Sequence, residues 1–317
     1  MSTAWLWPLG IFGLVFLLNL IVPGRWVDGY VVDPKTGRPL RYHLNGLWVF
    51  AGVIGAWFAA CSKGWLQWGA FYDHRWELAG AACLLGLAFT SAIVLLAPPT
   101  AGRGLLAQLY RGRFENPQAL GGRLDAKLFL YLAGATMLEL NVLSFAGAHL
   151  RLHPTDPSPG VLLYAGLFSF FLVEYLTFEE VHLFTYDFMA ERVGFKLGWG
   201  CLVFYPFFYP VGLWDLAARP NPHTPPLLLA GCASIFLSGW VLSRGANLQK
   251  FHFKRDPARR PFGLDPRPIE AGARLVLSGG FWGLARHINY LGEILMASAL
   301  ALSLGYPTSV WPWLYPI

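Results

Sequence analysis

Charge is scarce in this 317-residue chain: Asp, Glu, Lys and Arg make up 13% of it, while 55% is hydrophobic and the mean hydropathy is +0.45. So little charge on so much apolar side chain argues against a soluble globular domain and for an integral membrane protein. Cysteine is scarcer still. Cys61, Cys83, Cys201 and Cys232 lie singly with no C-x-x-C pair, so a disulfide framework or thiolate metal site has no ligand pattern, and the four read as small buried apolar residues. Among eight histidines there is no H-E-x-x-H. The one H-x-x-x-H pair, His149 and His153, sits beside Pro154 on an expected outer loop, and no metal site is expected. The absence of G-x-G-x-x-G and Walker patterns argues against a soluble-type nucleotide fold, and no nucleophile elbow points to Ser/His/Asp hydrolysis. No internal repeat or low-complexity tract stands out.

What the chain does have is a series of apolar runs near the length needed to cross a bilayer. They fall at Trp5–Val22, Leu44–Ala60, Leu78–Leu96, Leu128–Ala146, Val161–Phe178, Leu197–Leu216, Pro226–Leu242, and from Leu291 towards the end. These predict an all-α polytopic membrane protein, a single transmembrane domain over 1–317 with about eight helices. A long basic loop, 244–289, is expected between the last two. The first run lacks a basic n-region and a small-residue cleavage site, so it reads as a retained helix. Charge placement fits this count. The loops after helices one, three, five and seven hold 4, 5, 2 and 9 Lys/Arg, which is 20 of the 24. By the positive-inside rule the N-terminus is then outside and the 244–289 loop is cytoplasmic. The net charge of +6 reflects topology and gives no reason to expect nucleic-acid binding.

Within this frame a few clusters carry chemistry. Ser278–Glu293 packs Arg286, His287, Asn289 and Tyr290 against a Gly/Trp turn where the basic loop meets the last apolar run. A polar cluster at a membrane boundary is costly to place and usually has a function. In Arg244–Pro257, Lys250, Lys254 and Arg255 stand at i, i+4 and i+5, near one face of any helical extension. With Arg286 they could hold phosphates; on spacing alone they equally fit a positive-inside belt touching lipid headgroups. The sixth run is crowded with aromatics from Trp199 to Trp214 and interrupted by Pro206 and Pro210, which suits either a pocket for a flat apolar ligand or plain interfacial packing. Glu139 and Glu174 fall inside predicted helices, and Glu179, Glu180 and Asp187 follow the fifth. Buried carboxylic acids of this kind suit proton donation, whereas those after the fifth helix also suit solvation or capping.

The order of these motifs resembles the membrane sterol reductases, the family of the delta-14 sterol reductases, the lamin B receptor and 7-dehydrocholesterol reductase. The similarity runs over roughly 20–315. It is carried by Pro23–Gly29 with Gly37–Gly46, by Gly112-Arg-Phe-Glu-Asn-Pro117 with Asp125 and Lys127, by Glu179-Glu180 with Thr185-Tyr-Asp187, by Gly194–Gly200, by Arg244-Gly-Ala-Asn-Leu-Gln-Lys250, and by Ser278–Glu293. The resemblance implies reduction of a sterol carbon–carbon double bond, delta-14 or delta-7, by NADPH: an acid protonates the alkene and hydride follows. By matching position, Lys250, Lys254, Leu277, Trp282, Arg286, His287 and Asn289 are expected to contact the cofactor. Proton supply or relay is expected of Glu174, Glu180, Asp187 or Tyr209. The chain departs from the family pattern at Lys254 (Arg), Glu293 (Asp), Phe171 (a pocket Tyr), Tyr131 (Glu) and Ala133 (Arg), and is expected to be shortened at both ends. The implied setting is a bacterial inner membrane or the endoplasmic reticulum, with a sterol and membrane lipids as partners. Two other readings stay open: an isoprenylcysteine-type membrane methyltransferase, whose R-H-x-x-Y-x-G turn is similar to Arg286–Gly292, and a non-catalytic sterol- or lipid-binding relative.

Overall fold

Proline, glycine and charge punctuate the apolar runs, and the helices start and stop there. The structure, a computed structural model, describes residues 3–99, 102–272 and 274–317. Among the described residues eight apolar helices follow in order: α1 (Thr3–Ile21), α2 (Gly46–Ser62), α3 (Arg75–Leu96), α4 (Ala126–Leu152), α5 (Pro159–Thr177), α6 (Phe195–Leu216), α7 (Pro226–Arg255) and α8 (Ile288–Ser303). Six are long and apolar enough to cross a membrane, while α2 and α8 are shorter.

The helix ends differ most from expectation at α7. The seventh apolar run ends at Leu242, yet the helix continues to Arg255, so the first part of the expected 244–289 loop is helical. Nothing from Ser243 to Arg255 breaks a helix, and Phe251, Phe253 and Gln249 give this polar extension a buried face. Asp256-Pro257 ends it, because the residue before a proline is driven out of the α region. Thirty residues at about 1.5 Å each make about 45 Å, more than the ~30 Å of bilayer hydrocarbon.

The connections are not purely irregular, which departs from an all-α reading. β1 (Arg25–Val32) and β2 (Pro39–Leu44) pair antiparallel, with Arg25 opposite Leu44 and Asp28 opposite Arg41. Their turn is built by Asp33, which accepts from the Lys35 N–H at 3.0 Å and the Thr36 hydroxyl at 3.1 Å. β3 (Gln118–Ala119) pairs with β4 (Leu124–Asp125), and β5 (Pro268–Ala271) with β6 (Arg274–Leu277). Such two-stranded ribbons are short, and their alternating residues are easily read as loop.

By contacts the chain forms two compact units: Met1–Pro157 with Phe168–Pro220, and Ser158–Leu167 with Asn221–Ile317. In the first, α4 is the central helix, with 89% of its most apolar window buried. Gly134 on α4 lets the Cys201 carbonyl of α6 approach where any Cβ would overlap it. In α6 the backbone widens into a π-helical stretch over Gly200–Phe208 that contains Pro206. Pro210 has no N–H to offer the Pro206 carbonyl, and Asn141 Nδ2 of α4 donates to that carbonyl instead at 2.8 Å. In the second unit α7 and α8 meet at glycines. A Cβ on Gly239 would lie 3.0 Å from Leu295 Cβ, and one on Gly292 would lie 2.6 Å from the Ser243 nitrogen. Close backbone approach through small residues is the usual way membrane helices gain packing.

Candidate functional site

In the second unit the polar end of α7 carries a folded-back turn. Gln249 is fully buried there. Its Nε2 donates to the Gly279 carbonyl at 3.2 Å, and its Oε1 accepts from the Phe281 N–H at 3.0 Å. Gly280, between them, has φ +60°, and a Cβ there would overlap the Gln249 amide. Trp282 Nε1 donates to the Ala246 carbonyl at 2.8 Å, and the Lys250 ammonium lies 5.3 Å from the centre of the indole ring. Lys250 and Trp282, both expected cofactor contacts, are thus in contact with each other. Lys254 follows Lys250 one helical turn on, and both are partly exposed.

The remaining expected contacts cluster near the start of α8. Arg286 and His287 are exposed, and the His287 ring stacks on Tyr290 with centroids 5.1 Å apart. Asn289 has a buried Oδ1 with no hydrogen-bond partner. Leu277 closes β6 opposite Pro268. Of the three cations, Lys250 lies beside the Trp282 indole, Lys254 stands one helical turn on, and Arg286 is exposed just before α8.

In the first unit the expected proton-handling residues have distinct surroundings. Glu180 is ion-paired with Arg25 at 2.6 Å. Asp187 Oδ2 accepts from the Tyr131 hydroxyl at 2.7 Å, and the Asp187 backbone carbonyl accepts from the buried Lys127 ammonium at 2.6 Å. That lysine also donates to Asn116 Oδ1 at 3.2 Å, tying the Gly112–Pro117 motif to the Thr185–Asp187 motif. Asp125 caps α4 by accepting from the Lys127 and Leu128 N–H groups at 2.9 and 3.0 Å, and burial pushes its carboxyl above the usual range. Glu174 is buried on α5, and Tyr209 packs edge-on against Tyr205, 4.8 Å away.

Around Tyr131, the partner of Asp187, lies a narrow cleft. It is lined by Tyr131, Tyr175, Glu179, His182 and Phe188 among others, with the Tyr175 and His182 rings stacked at 3.9 Å. Glu179 accepts from the Gly46 N–H at 3.1 Å. Burial pushes its carboxyl up to about 7, against the opposing pull of that N–H and of Arg25.

Several residues that build these places had no assigned role in the sequence. Gln249 and Ala246 lie inside the quoted Arg244–Lys250 motif, but spacing does not reveal which backbone groups they hold. The sequence marks Tyr131 only as a departure from the family pattern. Its partner Asp187 is 56 residues away, out of reach of any local rule.

The chain is similar to known proteins over nearly its whole length. The chain is 32% identical to the "Delta(14)-sterol reductase" of Methylotuvimicrobium alcaliphilum, over 95% of this chain and 72% of that one. It is 30% identical to the protein of the same name from Arabidopsis thaliana, over 97% of this chain and 84% of the relative. The model of the ergosterol biosynthesis ERG4/ERG24 family matches residues 1–317, and the chain belongs to that family.

Proposed function

We propose that the chain is an integral membrane reductase that saturates a carbon–carbon double bond of a sterol with NADPH, the delta-14 bond being the first candidate and delta-7 the second. The family and the names of its relatives support the sterol substrate. The observation that carries the cofactor reading is the Gln249-held turn, which seats Trp282 against Lys250.

The residues present fit a phosphorylated dinucleotide. Lys250 and Lys254 offer point charges and Arg286 a planar fork for phosphate oxygens. The orphaned Asn289 Oδ1 is an acceptor suited to a carboxamide N–H. When bound, NADPH supplies the hydride. The chain's part is to hold it against the turn, shield the reacting carbons from water in the membrane, and deliver a proton from one of its acids. On this reading the Lys250–Asn289 region faces the cytoplasm, in keeping with the Lys/Arg asymmetry.

The test is to titrate the purified protein with NADPH and, separately, S-adenosylmethionine while following thermal stability, then to repeat with Arg286→Ala. A shift selective for NADPH and lost in the variant is the expected result. No shift at saturating NADPH overturns the reading, and a shift with S-adenosylmethionine alone favours the methyltransferase alternative. Sterols carrying single delta-14 or delta-7 bonds then separate the two substrates.

A further inference from the structure

A ribbon of two strands is only marginally stable in water by itself, and β5–β6 is such a ribbon. All four residues of β5 are exposed. Ile269 stands opposite Val276. Cross-strand partners share a face, so this face presents an apolar pair, 56% and 47% exposed. On the opposite face Leu275 is paired with Glu270, which mixes charge with apolar surface. The ribbon is fastened at its base, where the Ser278 and Gly279 N–H groups donate to the Pro266 carbonyl at 3.3 and 2.8 Å. The Gly279–Phe281 turn beyond that base is held by Gln249 of α7.

The surroundings of this apolar pair are basic. From Asp256 to His287 the sequence carries five arginines against three acids. Two of the acids are engaged locally: Asp256 accepts from the Ala258 N–H at 3.0 Å and Asp265 from the Arg267 N–H at 3.4 Å. Arg259, Arg260 and Arg267 are exposed, and Phe262, lying between them in sequence, is 62% exposed. Apolar side chains bordered by arginines match a surface that is negative at its rim and apolar beneath, which is the make-up of an anionic lipid leaflet.

Helix register sets how far the ribbon stands from the bilayer. The apolar run of α7 ends at Leu242, and Gly292 of α8 packs against Gly239 and Ser243, so α8 enters the apolar layer at the same level. Gln249 lies seven residues past Leu242, which is about 10 Å at about 1.5 Å per residue. The headgroup layer on each side of a bilayer is about 5–8 Å thick. The base of the ribbon therefore stands just beyond the headgroups, and a four-residue strand, at about 13 Å, is longer than the distance back to the hydrocarbon. The chain has to return to that layer at Ile288, and Leu284, 73% exposed, lies on the way.

We propose that the β5–β6 ribbon is a membrane-surface anchor. Its Ile269–Val276 face rests at the headgroup–acyl boundary of the bilayer that α7 crosses, and Arg259, Arg260 and Arg267 meet the phosphates of anionic lipids. The proposal rests on α7 as a membrane span and is independent of the reductase reading, since it holds whichever ligand Lys250 and Arg286 take. A protein partner is the poorer fit. An apolar pair bordered by arginines, within one strand length of the bilayer, already has an apolar and anionic surface beside it.

Hydrogen–deuterium exchange of the full-length protein in lipid nanodiscs tests this, with phosphatidylcholine alone compared with a mixture holding about one third phosphatidylglycerol. Amides of β5 and β6 are expected to exchange roughly tenfold more slowly in the anionic discs, as for a few cations held near an anionic surface. The slowing should be lost when salt is raised, and in a double variant, Arg259→Ser with Arg260→Ser, which leaves the strands themselves unchanged. The Ser278–Gly283 turn, held by Gln249 in either lipid, serves as the internal reference. Equal exchange of the ribbon in both lipids overturns the proposal. A benzophenone amino acid placed at Ile269 then identifies what covers that face. Irradiation is expected to give phospholipid adducts; their absence, or adducts to protein alone, whether within the chain or to a second copy, overturns the proposal as well.

Discussion

Gly112 and Gly194 touch backbone to backbone. A Cβ on Gly112 would overlap the Val193 carbonyl, and a Cβ on Gly194 would overlap the Gly112 nitrogen. This contact joins two motifs that lie far apart in sequence, Gly112–Pro117 and Gly194–Gly200. The adjoining Arg113 then reaches back to the end of α3, donating to the Val94 and Ala97 carbonyls at 3.1 and 2.8 Å. Val94 also accepts from the Ala97 N–H at 3.3 Å, while Ala97 caps α3 and has no further helical turn to donate to its carbonyl. Gly112 also sits at φ +87°, a region L side chains rarely adopt. Gly112→Ala is therefore expected to cost more than about 2 kcal/mol through strain and overlap together. A lower unfolding midpoint in detergent would show it; an unchanged midpoint would mean the two segments separate freely.

The second prediction concerns the turn on α7. Replacing the fully buried Gln249 by Leu removes two hydrogen bonds and leaves the Gly279 carbonyl and Phe281 N–H to find other partners. The expected cost is about 2 kcal/mol. It should appear as faster amide exchange confined to the Ser278–Gly283 turn, because the α7–α8 contact at Gly239 and Gly292 is untouched. Exchange that rises evenly along the chain would contradict this.

Much of this arrangement was legible in the sequence and some was not. Apolar runs located six helices long and apolar enough to cross a membrane, since length and hydropathy are local properties that the membrane itself selects. The end of α7 was not legible, because past Leu242 the helix is held by tertiary contacts of Gln249, Phe251 and Phe253 and no longer by hydropathy. The β1–β2 ribbon was missed for a related reason: its alternation is short and half exposed. At the site, the cations of α7 stood out by spacing. The brace beneath them did not, since one side-chain amide holding two distant backbone groups leaves no periodic trace. Glu139 and Glu174 looked alike as buried carboxyls on predicted helices. Only packing shows Glu139 next to Ser169.

The third prediction is a pH dependence of stability set by Glu179. Burial raises this carboxyl from the usual 4.5 to about 7 in the folded protein, so the folded state binds the extra proton between those values. Stability from this group is fully present below about 4.5 and is lost as pH rises through about 7. The full change is about 3 kcal/mol at 1.36 kcal/mol per pKa unit. Glu179→Gln should flatten the curve across that window while keeping an acceptor for the Gly46 N–H. Denaturant unfolding at a series of pH values measures it, and a wild-type curve that is already flat would refute the assignment.

The last prediction concerns Lys254, the position where the resemblance implies an arginine. Lys254 stands one turn beyond Lys250 on α7, and a compact ammonium meets a phosphate as a point charge. A guanidinium at the same place presents two parallel N–H donors to the phosphate oxygens. If NADPH phosphate lies there, Lys254→Arg should tighten NADPH binding several-fold, and Lys254→Ala should weaken it about tenfold, as for loss of one charge-assisted contact. Both effects should shrink as salt is raised, because they arise from partly exposed charges. NADH, which lacks the 2′-phosphate, separates two placements. If Lys254 meets that phosphate, the variants should shift NADPH affinity and leave NADH affinity unchanged; if it meets the shared pyrophosphate, both affinities move together. Identical NADPH affinities for wild type, Lys254→Arg and Lys254→Ala would remove Lys254 from the cofactor site and return it to the belt of cations at the membrane edge.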